Sequence, residues 1–330
     1  MRMTLVVARI DGPRIAIASD TLLTEQGKAL PIQSGTIKSC LLGNACVSFS
    51  NSPELAETDF KRFVAQHKDG AGFADTIAFF EQSSKNSGND YIVAFDSPPR
   101  LVKIADGKRQ GVVAKTVWIG DHSAYKAFRA YEGKIRSKAE HGRALNAVLF
   151  ADEQTGSPAS DLYSVMRNLV SDKGVPTVGG FVSLVSNRGN GFRFSVYSDM
   201  LFDWVHSQSA DYQFALSDRV DLQVSGENFG YSIAQLSPGY GNANFVAFYF
   251  VAPKCMFVFY GINNGLANKC TVLQVGPADI QAKLNALLGS DLGWLALVTT
   301  AENKGQTDHS GIKTPGVGLS FFTHANTMPK

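Results

Sequence analysis

The sequence predicts an α+β fold, and three features of the chain support that prediction. First, the chain opens with two strand-like segments, Thr4 to Ile10 and Arg14 to Ser19, which Gly12-Pro13 joins in the manner of a β-hairpin. Second, segments with helical spacing of apolar residues come in pairs, between blocks of strand-like segments. Third, the glycine-rich signatures of nucleotide-binding α/β folds are missing.

The elements after the hairpin continue this pattern. Lys38 opens a third β-rich segment that runs to Phe49, and Ser52-Pro53-Glu54 has the N-cap, the first-turn proline and the acidic first turn of a helix. A second helical segment follows, with its apolar residues at Phe73, Ile77 and Phe80. The polar stretch 83–90 is predicted to be a loop.

Strands and helices then repeat up to about residue 200. Strands are predicted at 91–95, 101–104 and 112–119, helices around 124–131 and over 160–172, and a final hairpin at 181–185 and 192–197. The order over residues 1–200 is therefore strands, two helices, strands, two helices, strands. Runs of strands followed by runs of helices are typical of α+β folds.

Residues 201–330 are predicted to form a C-terminal α+β extension. They hold strand-like runs at 231–236, 245–251, 255–260 and 271–275, one helix after Gly276-Pro277, and a tail from Glu302 rich in Gly, Asn and Thr. The sequence leaves open whether this part is a separate domain or packs on residues 1–200.

Composition excludes several classes of protein. The net charge of the 330 residues is +2, with both signs interspersed, so no nucleic-acid surface is predicted. No cofactor is predicted either, because the glycine-rich nucleotide signatures are missing. No apolar stretch is long enough for a membrane span, and Arg9, Asp11 and Arg14 interrupt any signal-peptide core. The six histidines lack metal-ligand spacing, so no metal is predicted. The four cysteines form no C-x-x-C, which favours reduced thiols in a cytoplasmic protein.

An ordered set of short motifs carries a family resemblance. Thr4 lies near the start of the first strand, Ala18-Ser19-Asp20 ends the second, Lys38 leads the third, and Phe49-Ser50-Asn51-Ser52 precedes a helix. This set resembles a proteasome β subunit and, equally, the peptidase of the simpler bacterial ATP-dependent protease. Both are N-terminal-nucleophile (Ntn) hydrolases. The resemblance implies a four-layer αββα sandwich over residues 1–200.

The resemblance also implies a threonine-type hydrolase, in the first place a peptidase that cleaves amide bonds. Thr4 would be the nucleophile, and its α-amino group would be the base once Met1–Met3 has been removed. Lys38 would keep that amine unprotonated, and Asp20 would orient Lys38. Ser50 and Asn51 would stand where the family places its oxyanion donor, a glycine N–H.

The sequence departs from the family pattern at three places. Met3 precedes the threonine where the family usually has glycine, and Asn51 stands in place of the oxyanion glycine. The family's auxiliary Ser/Asp pair has no clear counterpart. Asp121 or Ser123 could stand near one member, but polar partners are absent around Val178-Gly179-Gly180.

Two other functions remain open from the sequence. One is a catalytically silent scaffold or ligand-binding subunit of proteasome-like fold, in which Thr4, Asp20 and Lys38 are ordinary strand, turn and edge residues. The other is an Ntn amidase acting on a small molecule. For an active peptidase the resemblance implies a homo-oligomer, for example a ring, with a peptide or amide substrate. The resemblance also makes an ATPase a candidate partner, which the sequence does not identify.

Overall fold

The computed structural model describes the greater part of the chain. It covers residues 4–25, 28–31, 34–67, 70–110, 115–137, 144–150, 157–172, 174–187, 189, 191–203, 213–216, 222–225, 230–238, 245–250, 254–261, 269–289, 294–300, 306–307, 313–314 and 318–323. The first three residues of the strand predicted at 112–119, the tripeptide Met1–Met3 and most of the tail after Glu302 lie outside this part.

Five α-helices are present within the described residues. They are α1 (Pro53–Gln66), α2 (Phe73–Ser87), α3 (His122–Ser137), α4 (Pro158–Val170) and α5 (Ile280–Leu288), the last preceded by a 3-10 turn over Pro277–Asp279. As predicted, α1 begins with Ser52 as N-cap, whose hydroxyl accepts a hydrogen bond from Leu55 N–H, and with Pro53 in the first turn.

The strands of the first 200 residues alternate with these helices. They are β1 (Leu5–Asp11), β2 (Arg14–Asp20), β3 (Thr24–Glu25), β4 (Lys28–Ala29), β5 (Ser39–Leu42), β6 (Ala45–Phe49), β7 (Tyr91–Phe95), β8 (Arg100–Ala105), β9 (Lys108–Gln110), β10 (Thr116–Gly120), β11 (Ala144–Phe150), β12 (Val182–Asn187), β13 (Phe192–Phe194) and β14 (Tyr197–Asp203).

The later strands also pair in antiparallel fashion. They are β15 (Gln213–Leu216), β16 (Leu222–Ser225), β17 (Gly230–Pro238), β18 (Phe245–Phe250), β19 (Cys255–Tyr260), β20 (Lys269–Gln274), β21 (Trp294–Thr300), β22 (Gln306–Thr307), β23 (Lys313–Thr314) and β24 (Gly318–Thr323).

The α+β class is confirmed, and all strand pairs among the described residues are antiparallel. Sheet 1 has the order β10-β1-β2-β12-β13, and sheet 2 has the order β5-β6-β7-β8-β9. Sheet 3 has the order β11-β14-β17-β18-β19-β20, with β21 pairing to β17 and β24. Short strand pairs β3-β4, β15-β16 and β22-β23 complete the described set.

The two faces of sheet 2 pack in different directions. Val47 and Phe49 of β6 lie in a cluster with the buried side of α1 and α2, including Phe60 and Phe80. Cys46, one residue along β6, lies instead in the larger cluster that contains β1 and β2. This alternation is the period of a strand with both faces buried. Sheet 2 therefore lies between the α1–α2 pair and sheet 1.

The opposite side of sheet 1 is covered by the second pair of helices. α4 packs on β2, β12 and β1, and α3 packs on α4. The apolar face of α4 that makes these contacts was predicted from its i, i+3, i+4, i+7 pattern, and it includes Leu162, Val165, Met166 and Leu169.

Several predicted boundaries are wrong in detail. The segment from Lys38 to Phe49 is a hairpin, β5-β6, which turns at Gly43-Asn44. Residues 83–87, predicted as a loop, belong to α2, because the helix runs on to a left-handed Gly88 cap (φ 70). The strand predicted at 192–197 is interrupted by residues 195–196, where β13 ends and β14 begins.

The C-terminal residues pack on the N-terminal ones. Phe248 and Phe257 of sheet 3 share the large cluster with Phe181 and Leu184 of the first 200 residues. The boundary predicted at residue 200 falls inside β14, and sheet 3 takes β11 and β14 from one side of it and β17 to β20 from the other. Of the two options that the sequence left open, the structure thus favours packing on the first part.

Among the described helices, none combines the length and the apolar character that a membrane crossing requires.

Candidate functional site

Thr4, Asp20 and Lys38, the three residues predicted for catalysis, meet in the structure. Thr4 Oγ1 donates a hydrogen bond to Asp20 Oδ1 over 2.7 Å, and Lys38 Nζ donates to the same oxygen over 2.7 Å. The hydroxyl and the ammonium therefore lie no farther apart than twice that distance. Asp20 and Lys38 are fully buried, and Thr4 is 3% exposed.

The fold explains why residues so distant in sequence come together. Thr4 directly precedes β1 and Asp20 ends β2, so the open end of the β1-β2 hairpin holds both. Lys38 directly precedes β5 in sheet 2, and its carbonyl accepts a hydrogen bond from Phe49 N–H over 3.0 Å. The site thus lies where sheet 1 and sheet 2 meet at one end of their strands.

Asp20 is surrounded by hydrogen-bond donors. Besides Thr4 and Lys38, the backbone N–H of Leu5 donates to Oδ1 over 3.1 Å, and the backbone N–H of Gly179 donates to Oδ2 over 3.3 Å. Such donors stabilise a carboxylate that has lost its water. Lys38 also donates to the carbonyl of Leu22 over 2.8 Å.

Burial lowers the pKa of Lys38 below its ordinary value of 10.5, and the adjacent Asp20 carboxylate opposes part of that shift. A buried ammonium needs a counter-ion, and Asp20 supplies it. The arrangement can therefore place a positive charge beside the Thr4 hydroxyl while holding that hydroxyl in a fixed direction.

Ser50 and Asn51 lie on the segment that follows β6, which is bonded through Phe49 to Lys38. Asn51 has φ 80, a left-handed conformation that asparagine tolerates better than most residues. Within the described part of the chain the backbone N–H of Asn51 has no hydrogen-bond partner, whereas Ser50 N–H donates to Asp90 O and Ser52 N–H to Asn89 Oδ1. An N–H without a partner is what an oxyanion donor requires.

These two side chains do not join the Thr4, Asp20 and Lys38 group directly. The Asn51 side-chain amide donates to Gly88 O over 2.9 Å. The Ser50 hydroxyl is buried and finds no partner among the described residues. Neither makes a hydrogen bond to the three residues within the described chain.

Asp121 is a further residue at the site. Its backbone N–H donates to Thr4 O over 2.7 Å, and its carboxylate accepts from Thr177 Oγ1 over 2.5 Å. Ser123 donates to the same carboxylate through both its N–H and its hydroxyl, each over 2.7 Å. Burial by itself would raise the pKa of Asp121, but the hydrogen bonds from Thr177 and Ser123 outweigh it, and the pKa is lowered.

Thr177 and Gly179 were missed by sequence reasoning, which looked for polar side chains around Val178-Gly179-Gly180. Gly179 donates its backbone N–H to Asp20. Thr177, the residue before Val178, donates its hydroxyl to Asp121. The double glycine was the signal, because close approach of two backbones favours residues without a Cβ.

Gly120 shows how closely the chain approaches Thr4. Its φ is +101, and a Cβ built there would lie 1.9 Å from the carbonyl oxygen of Thr4. Only glycine fits at this position without movement of one backbone. The end of β10 is therefore pressed against the residue predicted as nucleophile.

Within the described residues, no group of three or more His, Cys, Asp or Glu side chains is placed to hold a metal ion. Of the six histidines, only His67 and His122 belong to the described part of the chain. Neither the protein-family models nor the curated proteins compared with this chain give a match.

Proposed function

We propose that the protein is an Ntn hydrolase of the threonine type, with Thr4 as nucleophile. The observation that carries the proposal is the shared oxygen: the Thr4 hydroxyl and the Lys38 ammonium both bond to Asp20 Oδ1 at 2.7 Å. Nucleophilic catalysis by a hydroxyl needs such an oriented group with charge control nearby. A chance meeting of three residues from three strand ends, buried together, is a weaker explanation.

The fold supports the same proposal at a coarser level. The α1–α2 pair, sheet 2, sheet 1 and the α3–α4 pair follow one another as layers. We propose that residues 1–200 with these layers are the αββα sandwich of the Ntn hydrolases, and that sheet 3 is an elaboration packed on it. Thr4 then lies where such a sandwich places its nucleophile, at the start of the first strand.

The proposed reaction begins with removal of Met1–Met3, which turns the backbone nitrogen of Thr4 into a primary amine. That amine accepts the Thr4 hydroxyl proton as Oγ1 attacks the amide carbonyl carbon of a substrate. The C–N bond of the substrate then breaks, and the leaving nitrogen takes the proton. Water hydrolyses the resulting ester, which releases the acid and restores the hydroxyl.

The chain's own groups have distinct parts in these steps. The Lys38 ammonium disfavours a second positive charge close by, so it lowers the pKa of the new amine and keeps it a base. Asp20 holds both Lys38 and the Thr4 hydroxyl in place. The N–H of Asn51, which has no partner among the described residues, is the proposed donor to the negative oxygen of the tetrahedral intermediate.

The scaffold function is the second candidate, and one observation favours it. Thr4 is 3% exposed, and its hydroxyl is already bonded to Asp20. A chain that keeps Met1–Met3 would leave this hydroxyl inaccessible to substrate. Removal of the tripeptide is thus the event that separates an active hydrolase from a silent subunit.

Intact mass and hydrolysis of amide probes test the proposal together. We expect the wild-type chain to lose Met1–Met3 and to hydrolyse a peptide probe, while Thr4→Ala keeps the tripeptide and loses activity by about a thousandfold or more. Lys38→Ala should lose most hydrolysis. Lys61→Ala, which removes an exposed ion pair with Glu57 on α1, is the matched control and should change neither result.

Retention of processing and activity in Thr4→Ala would exclude Thr4 as nucleophile. A wild-type chain that keeps Met1–Met3 would instead support the scaffold. Hydrolysis of small acyl amides without hydrolysis of peptides would select the small-molecule amidase. A homo-oligomeric ring and an ATPase partner stay predictions from the resemblance, and a cytoplasmic location stays a prediction from the four cysteines.

A further inference from the structure

Thr21 is a buried residue between two residues that bond to Lys38. Asp20 precedes it and Leu22 follows it, and the carboxylate of the first and the carbonyl of the second both accept from Lys38 Nζ. Thr21 is 1% exposed. Its carbonyl accepts a hydrogen bond from Thr36 N–H over 3.0 Å. That bond fixes the segment that leads, two residues later, to Lys38.

The hydroxyl of Thr21 bonds in the opposite direction. Thr21 Oγ1 accepts a hydrogen bond from the backbone N–H of Phe181 over 2.8 Å. The β2-β12 ladder ends at the pair Asp20 and Val182, so this bond continues the pairing through a side chain. One residue further, Leu22 N–H donates to Gly179 O over 3.1 Å.

The segment 179–181 is thereby held against Asp20. Gly179 N–H donates to Asp20 Oδ2 over 3.3 Å, and that donor lies only two residues from the Phe181 N–H that Thr21 binds. Gly180 has φ +72, and a Cβ built there would lie 2.4 Å from Thr21 Oγ1. The close approach of hydroxyl and backbone therefore depends on Gly180.

We propose that Thr21 is a positioning residue of the site. Its hydroxyl holds the segment 179–181 so that Gly179 N–H reaches Asp20, and its carbonyl holds the segment that delivers Lys38. The effect on hydrolysis rests on the proposed function, whereas the effect on the segment 179–181 does not. Thr21 contacts neither Thr4 Oγ1 nor a substrate in this role, so it acts only through Asp20 and Lys38.

The test compares Thr21→Val, which replaces the hydroxyl by a methyl group of similar size, with Thr21→Ser, which keeps the hydroxyl. We expect Thr21→Val to lower kcat about tenfold or more with KM within about twofold, because a misplaced Asp20 affects the reacting group and not substrate binding. Thr21→Ser should stay within about threefold of wild type. Thr76→Val is the control, since the buried Thr76 hydroxyl donates to Gly72 O on α2, away from the site.

Hydrogen exchange over residues 177–182, followed by mass spectrometry, gives a second readout that needs no activity. Thr21→Val should speed exchange in this segment, and Thr21→Ser should not. If Thr21→Val does not fold, Thr21→Cys replaces it, because a thiol is a weak acceptor of similar size.

The results separate this proposal from the proposed function. If the wild-type protein shows no hydrolysis, the proposed hydrolase function is wrong. If hydrogen exchange is then still faster in Thr21→Val and not in Thr21→Ser, the positioning role of Thr21 is supported. Unchanged exchange and unchanged kcat in a folded Thr21→Val overturn the positioning role. Equal losses in Thr21→Val and Thr21→Ser also overturn it, because they assign the effect to shape instead of the hydroxyl.

Discussion

Asp20 is the residue on which the site depends at the smallest scale. One of its oxygens accepts from the Thr4 hydroxyl, the Leu5 N–H and the Lys38 ammonium, and the other accepts from Gly179 N–H. A carboxylate this deeply buried is stable only with such a set of donors. Removing its charge would also leave Lys38 buried without a counter-ion, so a change at Asp20 disturbs stability and chemistry together.

The pH dependence of hydrolysis should report the charge on Lys38. Burial lowers the pKa of Lys38 from 10.5, with Asp20 opposing part of the shift. The protonated ammonium is the active form in the proposed mechanism. On the alkaline side, activity is therefore lost as the pH rises through the folded-state pKa of Lys38, whereas protonation of the Thr4 amine limits it on the acid side. We expect the alkaline limb of the kcat profile to lie below pH 10.5.

Circular dichroism across the same pH range is the control for unfolding. An alkaline limb at or above pH 10.5 in a protein that stays folded would show that Lys38 is not the titrating group. So would an alkaline limb that persists unchanged in Lys38→Ala, at whatever rate this variant retains.

At the scale of single residues, the sequence could predict the three candidate catalytic residues. Thr4, Asp20 and Lys38 were found because their order along the chain resembles that of a known family, and the structure brings them together. Thr21 and Thr177 could not be found in this way. Their roles depend on where a loop passes in space, and a threonine beside a strand end has no pattern of its own in the sequence.

A second feature connects whole elements, at the end of the strands opposite to Thr4. Asp96, just after β7 of sheet 2, accepts from Asn187 Nδ2 over 2.6 Å and from Gly191 N–H over 2.7 Å. Asn187, the last residue of β12 in sheet 1, accepts from Ile15 N–H over 2.5 Å and donates to Pro13 O over 2.8 Å. The pair therefore joins the two sheets and the β1-β2 turn.

Asn187→Ala should lower the free energy of unfolding by about 1–3 kcal/mol, because it leaves the buried Ile15 N–H and part of Asp96 without a partner. Urea denaturation measures this change. Asn86→Ala is the matched control: Asn86 is an exposed amide on α2 that bonds to Gln82, and its loss should cost less than about 0.5 kcal/mol. Equal effects of the two variants would show that the hydrogen bonds of Asn187 to Asp96, Ile15 and Pro13 do not stabilise the fold.

Element type was predictable where periodicity is strong and unpredictable where it is absent. α4 was predicted from its apolar spacing, and α1 from its apolar face, its N-cap and the proline in its first turn. The polar end of α2 was missed, because Ser83 to Ser87 carry no helical pattern and the left-handed Gly88 decides where the helix stops. β11 was missed as a strand, because its pairing partner β14 lies far away along the chain.

Assembly belongs to the scale of the whole molecule. Leu55 on α1 is 45% exposed, and it is one of two large apolar side chains so exposed among the described residues. The resemblance places subunit contacts on the helices from Ser52 and Ala124, and α3 also has half-buried Tyr125 and Tyr131. An apolar side chain on such a face is what an interface between copies would cover.

Sedimentation at micromolar concentration should therefore show an oligomer, and Leu55→Glu should shift it toward a monomer by burying a charge in the interface. Val272→Glu is the control. Val272 is the other exposed large apolar residue among the described ones, at 36%, and it lies on β20 of sheet 3, not on α1. A wild-type monomer would contradict the assembly. Equal shifts in both variants would place the contact elsewhere than α1.

Phe181 connects the site to two strands that are made late, β18 and β19. Its ring stacks on Phe248 with centroids 4.4 Å apart and lies 5.1 Å from Phe257, and its backbone N–H is the one that Thr21 binds. During translation, sheet 1 can begin to form long before β18 and β19 have left the ribosome. Until they do, the segment that presents Gly179 to Asp20 lacks the packing of Phe181 against Phe248 and Phe257. Under the proposed function, a nascent chain would carry its nucleophile through the synthesis of about 240 further residues before it could free it, so self-cleavage would wait until β18 and β19 have emerged.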